Sequence, residues 1–432
     1  MNYWPGDPPS PLFAMLSREQ FSAPQLAGDC GTDVVVIGGG IGGLAAALAL
    51  RQAGISTTVL EAVTIGAGAS GRNNGQVIPT LTRHDPAAVL KLMGVERAER
   101  FLRMLDDSAD LLFETIARYR IDCDAVRAGW IQPAHSPGRA RLAAKRAEQW
   151  QARGAPAEFL DATSLAQRLG SAAYHGGWRH GGGGHINPLA FTRGLARAVV
   201  QEGVVVHEHS PARHLVREGD GWRVLTAGGT VRCRKVVIVT AAYSGGLWPG
   251  LAQTIVPVTS YQLATAPLTS ALAAGILPFN EAASDTRNDL RYFHKDRDGR
   301  LVTGGALAVQ TFAYPRLSRL VYAKLSSTFP SLATMNFDFF WGGRIAMTTD
   351  RLPRLHRTPD GLVSWIGCNG RGLALAMGMG GVVRDAVSGA LDAELALPPC
   401  PLARVPMQWF LKRTARLALL HHRRRDHREI AV

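Results

Sequence analysis

A glycine-rich segment that follows a short apolar run constrains the fold of this chain more than any other feature. Residues 33–37 predict a short strand of the kind buried in a parallel sheet. Gly38, Gly40 and Gly43 then give the spacing G-x-G-x-x-G, and a helix is expected from about 41 to 53. This order predicts a tight turn at Gly38, close approach of a ligand to the main chain at Gly40, and close helix–strand packing at Gly43.

An acidic residue stands at the distance expected for a ribose partner. A second apolar strand, residues 56–60, ends at Glu61, which lies 21 residues after Gly40. This order of elements predicts a dinucleotide site: a strand, a glycine turn, a helix, a second strand and an acid. The phosphates are expected at the helix N-terminus, and Glu61 is expected to bind a ribose hydroxyl. The charge of Glu61 argues against a 2′-phosphate. A glycine-rich turn that binds no nucleotide is the alternative.

Two further segments favour FAD over a nicotinamide cofactor. The polar, glycine-rich loop from Gly66 to Val77 stands where a nicotinamide enzyme would continue its sheet, and it suits the extended ribityl chain and ring of a flavin. An ordinary surface loop is the alternative. Far along the chain, a short strand at residues 364–366 leads into a second glycine-rich turn and an apolar helix, residues 367–383.

The second glycine-rich turn suits the redox end of a flavin. A helix N-terminus stabilises the negative charge of a reduced flavin ring by about 0.3–2 kcal/mol, and Arg371, between Gly370 and Gly372, would add a cation. A surface arginine is the alternative. The two turns together predict that the last fifth of the chain returns to the first domain, which makes the nucleotide-binding domain discontinuous.

Length and composition limit the remaining classes of protein. A chain of 432 residues implies about two domains. The net charge of +14 attracts anions, but no basic patch with interleaved aromatic residues and no zinc-binding spacing supports nucleic-acid binding, which we exclude. Five widely spaced cysteines without a C-x-x-C pair predict no disulfide framework, and the N-terminus lacks the signal-peptide pattern. These features indicate a cytoplasmic protein.

Several linked motifs resemble the D-amino-acid oxidase-like (DAO) superfamily of FAD-dependent oxidoreductases, and within it the gamma-glutamylputrescine oxidoreductase and glycine-oxidase-like group. The resemblance covers most of the chain, although Asn74 stands where these enzymes usually have glycine. The motifs are Tyr3 and Trp4, the fingerprint above, GASGRNNGQ (68–76), the segments 184–215 and 236–244, WGGRIAMTTDRLPRL (341–355) and the C-terminal glycine helix.

The resemblance implies an α/β fold with a discontinuous Rossmann-like FAD-binding domain and an α+β substrate domain with an antiparallel sheet. In the substrate domain, residues 82–180 predict two helical stretches, and residues 291–305 predict strands joined by a hairpin turn at Asp298 and Gly299. We expect the FAD-binding domain at 30–81, 182–245 and 345–396, the substrate or cap domain at 82–181 and 246–344, an N-terminal extension at 1–29 and a basic tail at 397–432.

The cofactor-binding residues lie in the motifs that carry the resemblance. Thr240 is included because the strand at 236–240 ends against the cofactor in folds of this type. FAD is predicted to be non-covalent, because no thiol occupies residues 342–344, where some relatives carry the attaching cysteine. The predicted set is Gly38, Gly40, Gly43, Glu61, Ser70, Gly71, Arg72, Asn73, Gln76, Thr240, Gly370, Arg371, Gly372 and Leu373.

The implied reaction is oxidation of a carbon–nitrogen bond. Hydride leaves the carbon beside the nitrogen of an amine or amino acid for flavin N5, and water hydrolyses the imine. Related enzymes hold a substrate carboxylate with an arginine. Arg344 is near that place but one residue out of register, which reverses the facing side on a strand. Arg291 and Tyr292 are the other candidates, with a solvated strand face as their alternative. No metal site is predicted.

Other functions and the electron acceptor stay open. A flavin monooxygenase of the aromatic-hydroxylase type shares the first motif but has a G-D pair where this chain has GCNGRG, residues 367–372. A membrane-associated amino-acid dehydrogenase would pass electrons to quinone rather than to O2. A non-enzymatic nucleotide-binding protein is supported only by the charge and the tail. The basic segment 409–428 predicts a solvated terminal helix, with weak contact to an anionic membrane surface as the alternative.

Overall fold

The computed structural model describes residues 10–332 and 335–430, so Tyr3 and Trp4 lie outside the described part of the chain. This part has a mixed α/β fold with four sheets. Its α-helices are α1 Pro11–Leu16, α2 Ile41–Gln52, α3 Pro86–Met93, α4 Val95–Tyr119, α5 Pro137–Gln151, α6 Ala162–Leu169, α7 Pro188–Gln201, α8 Ser270–Gly275, α9 Ala313–Thr328, α10 Gly372–Ser388 and α11 Gln408–Ile430. Its strands are β1 Cys30–Gly31, β2 Val34–Ile37, β3 Thr57–Leu60, β4 Gln76–Val77, β5 Trp130–Pro133, β6 Ala157–Leu160, β7 Gly177–His180, β8 Gly184–His185, β9 Val205–His207, β10 His214–Glu218, β11 Gly221–Leu225, β12 Thr230–Cys233, β13 Lys235–Ile238, β14 Val256–Thr265, β15 Ala282–Ser284, β16 Tyr292–Lys295, β17 Leu301–Gly305, β18 Phe337–Met347, β19 Arg354–Arg357 and β20 Leu362–Ile366.

A six-stranded sheet in the order β19-β20-β13-β2-β3-β9 carries both predicted glycine turns. Its neighbouring strands run parallel, except for the antiparallel pair of β19 and β20. Strands β2, β3 and β20 are buried at every position, as expected for a parallel sheet covered on both faces. Helices α2 and α10 pack so closely that a Cβ on Gly380 would lie 2.7 Å from the carbonyl oxygen of Ala45.

A larger, eight-stranded sheet has the order β18-β14-β17-β16-β15-β5-β7-β6. It joins strands from residues 130–180 to strands from residues 256–347, and only the pair of β15 and β5 is parallel. Helix α9 packs on one face of this sheet through buried leucines and Phe329. We call this sheet the cap sheet. Two smaller sheets complete the fold, in the orders β1-β12-β11-β10 and β4-β8.

Local patterns predicted most elements, with one clear exception. The hairpin around Gly228 and Gly229 is present between β11 and β12, and the turn at Asp298 and Gly299 joins β16 to β17. The prediction of two helical stretches in residues 82–180 was incomplete, because the structure has four helices and three strands there. The strand β5 is buried at all four positions, so it lacks the alternating pattern by which a half-exposed strand is recognised.

Candidate active site

The first glycine turn has the tight geometry that the fingerprint predicts. Gly38 has a φ of +110°, and a Cβ there would lie 2.8 Å from the carbonyl oxygen of Val239. A Cβ on Gly43 would lie only 1.9 Å from the carbonyl oxygen of Gly38. A Cβ on Gly40 would lie 2.7 Å from Ser70 Oγ. Packing of the turn against its neighbours therefore requires a glycine at each of these three positions.

Glu61 lies directly after β3 and faces the same turn. Its Oε2 accepts a hydrogen bond from the Gly39 amide at 2.7 Å, and its Oε1 accepts one from the Val63 amide at 3.0 Å. Burial raises the pKa of Glu61, and its hydrogen bonds from backbone amides oppose that shift. The carboxylate is thus fixed at the first glycine turn, the position at which the fingerprint predicts a ribose hydroxyl of a dinucleotide.

The glycine-rich loop Gly66–Val77 is held between α2 and the cap sheet, and it is not an exposed surface loop. Ser70 Oγ accepts a hydrogen bond from the Ile41 amide at 2.9 Å, so the loop caps the start of α2. The side chain of Arg72 is buried, and its Nη1 donates to the carbonyl oxygen of Gly342 at 3.3 Å. Trp341 Nε1 donates to the carbonyl oxygen of Arg72 at 2.9 Å.

Gly71 and Asn73 shape the bend of this loop. A Cβ on Gly71 would lie 2.3 Å from the carbonyl oxygen of Gly66, so only glycine fits at position 71. Asn73 Nδ2 donates to the carbonyl oxygen of Ser70 at 2.8 Å, and its Oδ1 accepts from the Gly75 amide at 2.9 Å. The side chain of Asn73 therefore acts on the loop itself, and a contact with a cofactor would come from the backbone that it holds.

Gln76 joins the loop to the cap sheet and carries an unsatisfied atom. Its Nε2 donates to the carbonyl oxygens of Ala283 at 2.9 Å and Phe293 at 3.2 Å. Its buried Oε1 has no hydrogen-bond partner among the described residues. Buried amide oxygens without a partner are rare in native proteins, so this atom indicates a place for a ligand or a water molecule.

Thr240 lies between the two glycine turns. It follows β13, the strand between β2 and β20. Its Cγ2 would lie 3.5 Å from a Cβ on Gly38, and its Oγ1 is hydrogen-bonded to Ser244 Oγ at 2.7 Å. The carboxyl ends of the three parallel strands therefore meet at one edge of the sheet, where ligands of open α/β sheets bind.

The second glycine turn presents the start of α10 and a buried cation. Gly370 has a φ of +87°, and α10 begins at Gly372 with Leu373 buried. Arg371, which the sequence left as a cofactor contact or a surface residue, is partly buried. Its Nη1 donates to the hydroxyl of Thr80 and to the carbonyl oxygen of Leu81 at 2.6 Å.

No carboxylate among the described residues forms an ion pair with Arg371. Its guanidinium carbon lies 4.8 Å from the ring centroid of Trp130, a geometry that favours a cation–π interaction. Burial lowers the pKa of Arg371 to about 9, and the nearby positive charge of Arg146 adds to that shift. This region therefore favours a negatively charged group, because such a group would compensate the desolvated cation.

Tyr292 lies on the face of the cap sheet that contacts the glycine-rich loop. On that face, a Cβ on Gly343 would lie 3.2 Å from Arg72 Cβ. Ser260 pairs with Gly343 across β14 and β18, and Gln262 has the same orientation two residues further along. The hydroxyl of Tyr292 donates to Gln262 Oε1 at 3.0 Å, and burial raises the pKa of Tyr292.

Arg291 faces away from Tyr292. Its Nη1 donates to Ser327 Oγ and Thr328 Oγ1, each at 2.9 Å, and to the carbonyl oxygen of Lys324 at 3.2 Å. These groups form the last turn of α9, where a cation is stabilised by the helix dipole. The two neighbouring candidates thus have different surroundings, and only Tyr292 lies with Gln262 on the loop-facing side.

Arg344 lies on the opposite face of β18 from Gly343, as the alternation of a regular strand requires. Its amide donates to the hydroxyl of Tyr243 at 3.3 Å, and its guanidinium carbon lies 5.9 Å from the centroid of that ring. The structure therefore groups Arg344 with Tyr243, and not with Tyr292.

Sequence reasoning missed three side chains that contact the predicted site residues, and a fourth that holds one of those three. Gln262 holds Tyr292, Trp130 lies under Arg371, and Tyr243 contacts Arg344. Ser284 accepts a hydrogen bond from Trp130 Nε1 at 2.8 Å. Strand alternation in residues 261–268 offered a signal for Gln262, because it separates that side chain from Tyr261. The other three carry no local pattern that marks them.

The described ranges contain neither a cluster of metal ligands nor a helix able to span a membrane. No group of three or more His, Cys, Asp or Glu side chains there is arranged to hold a metal ion. None of the described helices combines the length and the apolar character needed to cross a membrane. The five cysteines, all within the described ranges, are free.

Comparisons with known proteins agree with this site. The profile of the DAO family, described as FAD dependent oxidoreductase, matches residues 33–386. Gamma-glutamylputrescine oxidoreductase from Escherichia coli strain K12 is 32% identical over 374 residues, which cover 85% of this chain and 87% of that protein. A glycine oxidase from Bacillus licheniformis is 25% identical, covering 83% and 93%. The crystal structure of glycine oxidase from Geobacillus kaustophilus superposes with a TM-score of 0.71 at 21% identity, covering 87% and 99%.

These matches define the class of protein, an FAD-dependent oxidoreductase. The chain belongs to the DAO family. Enzymes of this family oxidise carbon–nitrogen bonds of amines and amino acids, and FAD is their cofactor. The residues present fit FAD, because two glycine turns meet at one sheet edge and the loop beside the first turn carries the unpartnered Gln76 Oε1 against the cap sheet.

Proposed function

We propose that this chain oxidises the carbon–nitrogen bond of a small amine that also carries an anionic group, with FAD held non-covalently in a Rossmann-like domain. One observation carries the proposal: the glycine turns after β2 and β20 lie on either side of the end of β13, at the carboxyl edge of one parallel sheet. We assign residues 30–81, 182–245 and 345–396 to the FAD-binding domain and residues 82–181 and 246–344 to the cap.

The cofactor-binding residues divide by the part of FAD that they would hold. Bound FAD supplies a two-electron acceptor for hydride from the substrate carbon. The first turn would bind the diphosphate through its backbone amides, and Glu61 would bind a ribose hydroxyl. The start of α10 would bind the pyrimidine edge of the flavin ring. Non-covalent binding is supported by the absence of cysteine from residues 341–345. The proposed set is Gly38, Gly40, Gly43, Glu61, Ser70, Gly71, Arg72, Asn73, Gln76, Thr240, Gly370, Arg371, Gly372 and Leu373.

On the substrate side, we assign the orienting role to Tyr292. Its hydroxyl is fixed by Gln262 on the loop-facing side of the cap sheet, and its burial excludes water from that position. Arg371 supplies a desolvated positive charge and supports an anionic group on the substrate. Arg344 is a weaker candidate for binding the anionic group of the substrate. We assign Arg291 a structural role in the cap.

The name of the Escherichia coli relative suggests the first substrates to test. Gamma-glutamyl amines carry both an amine and a carboxylate, as the proposed site requires. O2 and a quinone are both proposed as electron acceptors, and a cytoplasmic location stays a prediction.

An anaerobic screen tests the proposal. Purified protein loaded with FAD is mixed with polyamines, gamma-glutamyl amines, N-methyl amino acids and D-amino acids, and loss of flavin absorbance near 450 nm is followed. We expect bleaching by one of the anionic amines and weaker or no bleaching by plain polyamines. Re-oxidation by air or by a soluble quinone then identifies the acceptor. A protein that binds FAD but is bleached by no amine would refute the proposed reaction, and failure to bind FAD would refute the proposed site.

A further inference from the structure

Helix α11 follows one edge of the cap sheet. Near its start, Gln408 Nε2 donates to the carbonyl oxygen of Ala252 at 2.7 Å, just before β14. Further along, Arg423 Nη2 donates to the carbonyl oxygen of Ala306 at 3.4 Å, just after β17. Near its end, Glu429 pairs with Arg139, in the helix that follows β5. A helix of 23 residues is about 34 Å long, enough to cross the roughly 19 Å that separate β14 from β5.

Asp426 fastens this helix to the loop between β15 and β16. Its Oδ1 accepts hydrogen bonds from the amide of Asn288 at 3.0 Å and from Asn288 Nδ2 at 2.8 Å. Its Oδ2 accepts one from the amide of Asp289 at 3.0 Å. The carboxylate is 4% exposed, so these charge-assisted bonds form away from bulk solvent.

Ion pairs on both sides of Asp426 strengthen the attachment. Asp289 accepts from Arg423 Nε at 2.7 Å and pairs with Lys324 Nζ at 3.0 Å, so one carboxylate links α11 to α9. Glu429 accepts two bonds from Arg139, at 2.7 and 3.0 Å, and this pairing lowers the pKa of Glu429 to about 2. A loosely solvated tail would not make these contacts.

The other flank of α11 faces the segment that holds the second glycine turn. The positive charges of Arg83 and Arg351 lower the pKa of His422, although burial is the larger cause. Next to Arg83, Thr82 Oγ1 donates to the carbonyl oxygen of Asn369 at 2.9 Å, within that turn. Helix α11 thus lies along the cap sheet, with His422 near the segment next to the second glycine turn. It lies beyond residue 386, where the family match ends.

We propose that Asp426, through its hydrogen bonds to the loop between β15 and β16, is a positioning residue for Tyr292. The loop that is hydrogen-bonded to Asp426 ends at Arg291. Tyr292 begins β16 three residues after Asp289. Holding these two amides therefore restrains the loop that leads into this strand, while Asp285 accepts a hydrogen bond from the Arg291 amide at 3.0 Å, directly before Tyr292. This inference rests on the proposed function for the role of Tyr292, but the grip on the loop does not depend on the identity of the substrate.

Two variants of Asp426 and one matched control test this role in the full-length, FAD-loaded protein. Asp426→Ala removes all three accepted bonds, and Asp426→Asn keeps one acceptor oxygen. Arg424→Ala changes an exposed residue of the same helix. Hydrogen exchange of a peptide covering residues 286–291 is measured first. We expect Asp426→Ala to accelerate exchange at least about tenfold, Asp426→Asn to lie between it and the wild type, and Arg424→Ala to match the wild type.

Quenching of flavin fluorescence by acrylamide then tests the position of Tyr292, because a displaced β16 would leave the flavin more accessible. We expect the quenching constant to rise for Asp426→Ala only, and KM for a bleaching amine to rise more than kcat falls. Unchanged hydrogen exchange in Asp426→Ala would show that Asp426 does not hold the loop. Faster exchange with unchanged quenching and unchanged KM would overturn the positioning role. If no amine bleaches the flavin, the exchange and quenching results still decide this inference, so its failure is distinct from that of the proposed function.

Discussion

Replacing Gly43 by alanine tests whether close packing at the first turn is required for FAD binding. The added Cβ would start 1.9 Å from the carbonyl oxygen of Gly38, so the turn and α2 must separate by about 1.5 Å to reach an ordinary contact distance. Overpacking of this kind costs about 1–3 kcal/mol, and the higher helix propensity of alanine returns at most about 1 kcal/mol. A shift of this size would also remove at least one of the proposed backbone hydrogen bonds to a phosphate, each worth about 1.5–3 kcal/mol.

The expected result is a loss of FAD affinity of about 10- to 100-fold. The dissociation constant is measured by titrating FAD into apoprotein and following the quenching of flavin fluorescence. Gly381→Ala is the matched control, since this glycine also lies within a helix but a Cβ there would meet nothing within 4 Å. The control should bind FAD like the wild type and be equally stable or slightly more stable. Equal FAD affinity in the Gly43→Ala variant would refute the close-packing argument.

Three other predictions concern titration, the cap and the cofactor. Burial lowers the pKa of His185 and of His294, so as the pH decreases the unfolded chain binds protons before the folded chain does. The free energy of unfolding should therefore decrease as the pH is lowered from about 6.5, by up to about 1.4 kcal/mol per pH unit for each histidine. The melting temperature of His294→Gln should depend less on pH than that of the wild type, and equal dependence would contradict this. Tyr292→Phe should lower kcat/KM about tenfold with little change in melting temperature, since one hydrogen bond is lost. Arg291→Ala should mainly lower the melting temperature. The reverse pattern would exchange the roles of the two residues. Acid precipitation should leave yellow FAD in the supernatant, and colour retained in the pellet would show covalent attachment.

Local sequence patterns were sufficient for the glycine turns. The order of strand, Gly38, helix and Glu61 is set by residues within about 30 positions of one another, and the physical demands on each residue are local. A tight turn needs a positive φ at Gly38, and a close helix needs Gly43. For this reason the sequence predicted both the elements and the contacts at this edge of the sheet.

Contacts between distant segments could not be predicted in the same way. Arg371 lies against Trp130, more than 200 residues away, and nothing near Arg371 distinguishes it from a surface arginine. Alternation along a strand does separate Arg291 from Tyr292, but it does not say which of the two faces the loop. The position of α11 depends on Asp426, a single acid within a basic segment, which charge patterns alone assign to solvent.

The packing of α10 on α2 also has a consequence for how the protein is made. About 320 residues separate Gln52, at the end of α2, from Gly372, at the start of α10. At about 5–20 residues per second, a ribosome needs roughly 16–64 seconds to synthesise that stretch. During this interval the side of α2 that packs on α10 has no native cover, so nascent chains that stall before Gly372 should associate with chaperones, and yield in cells should depend on chaperone supply.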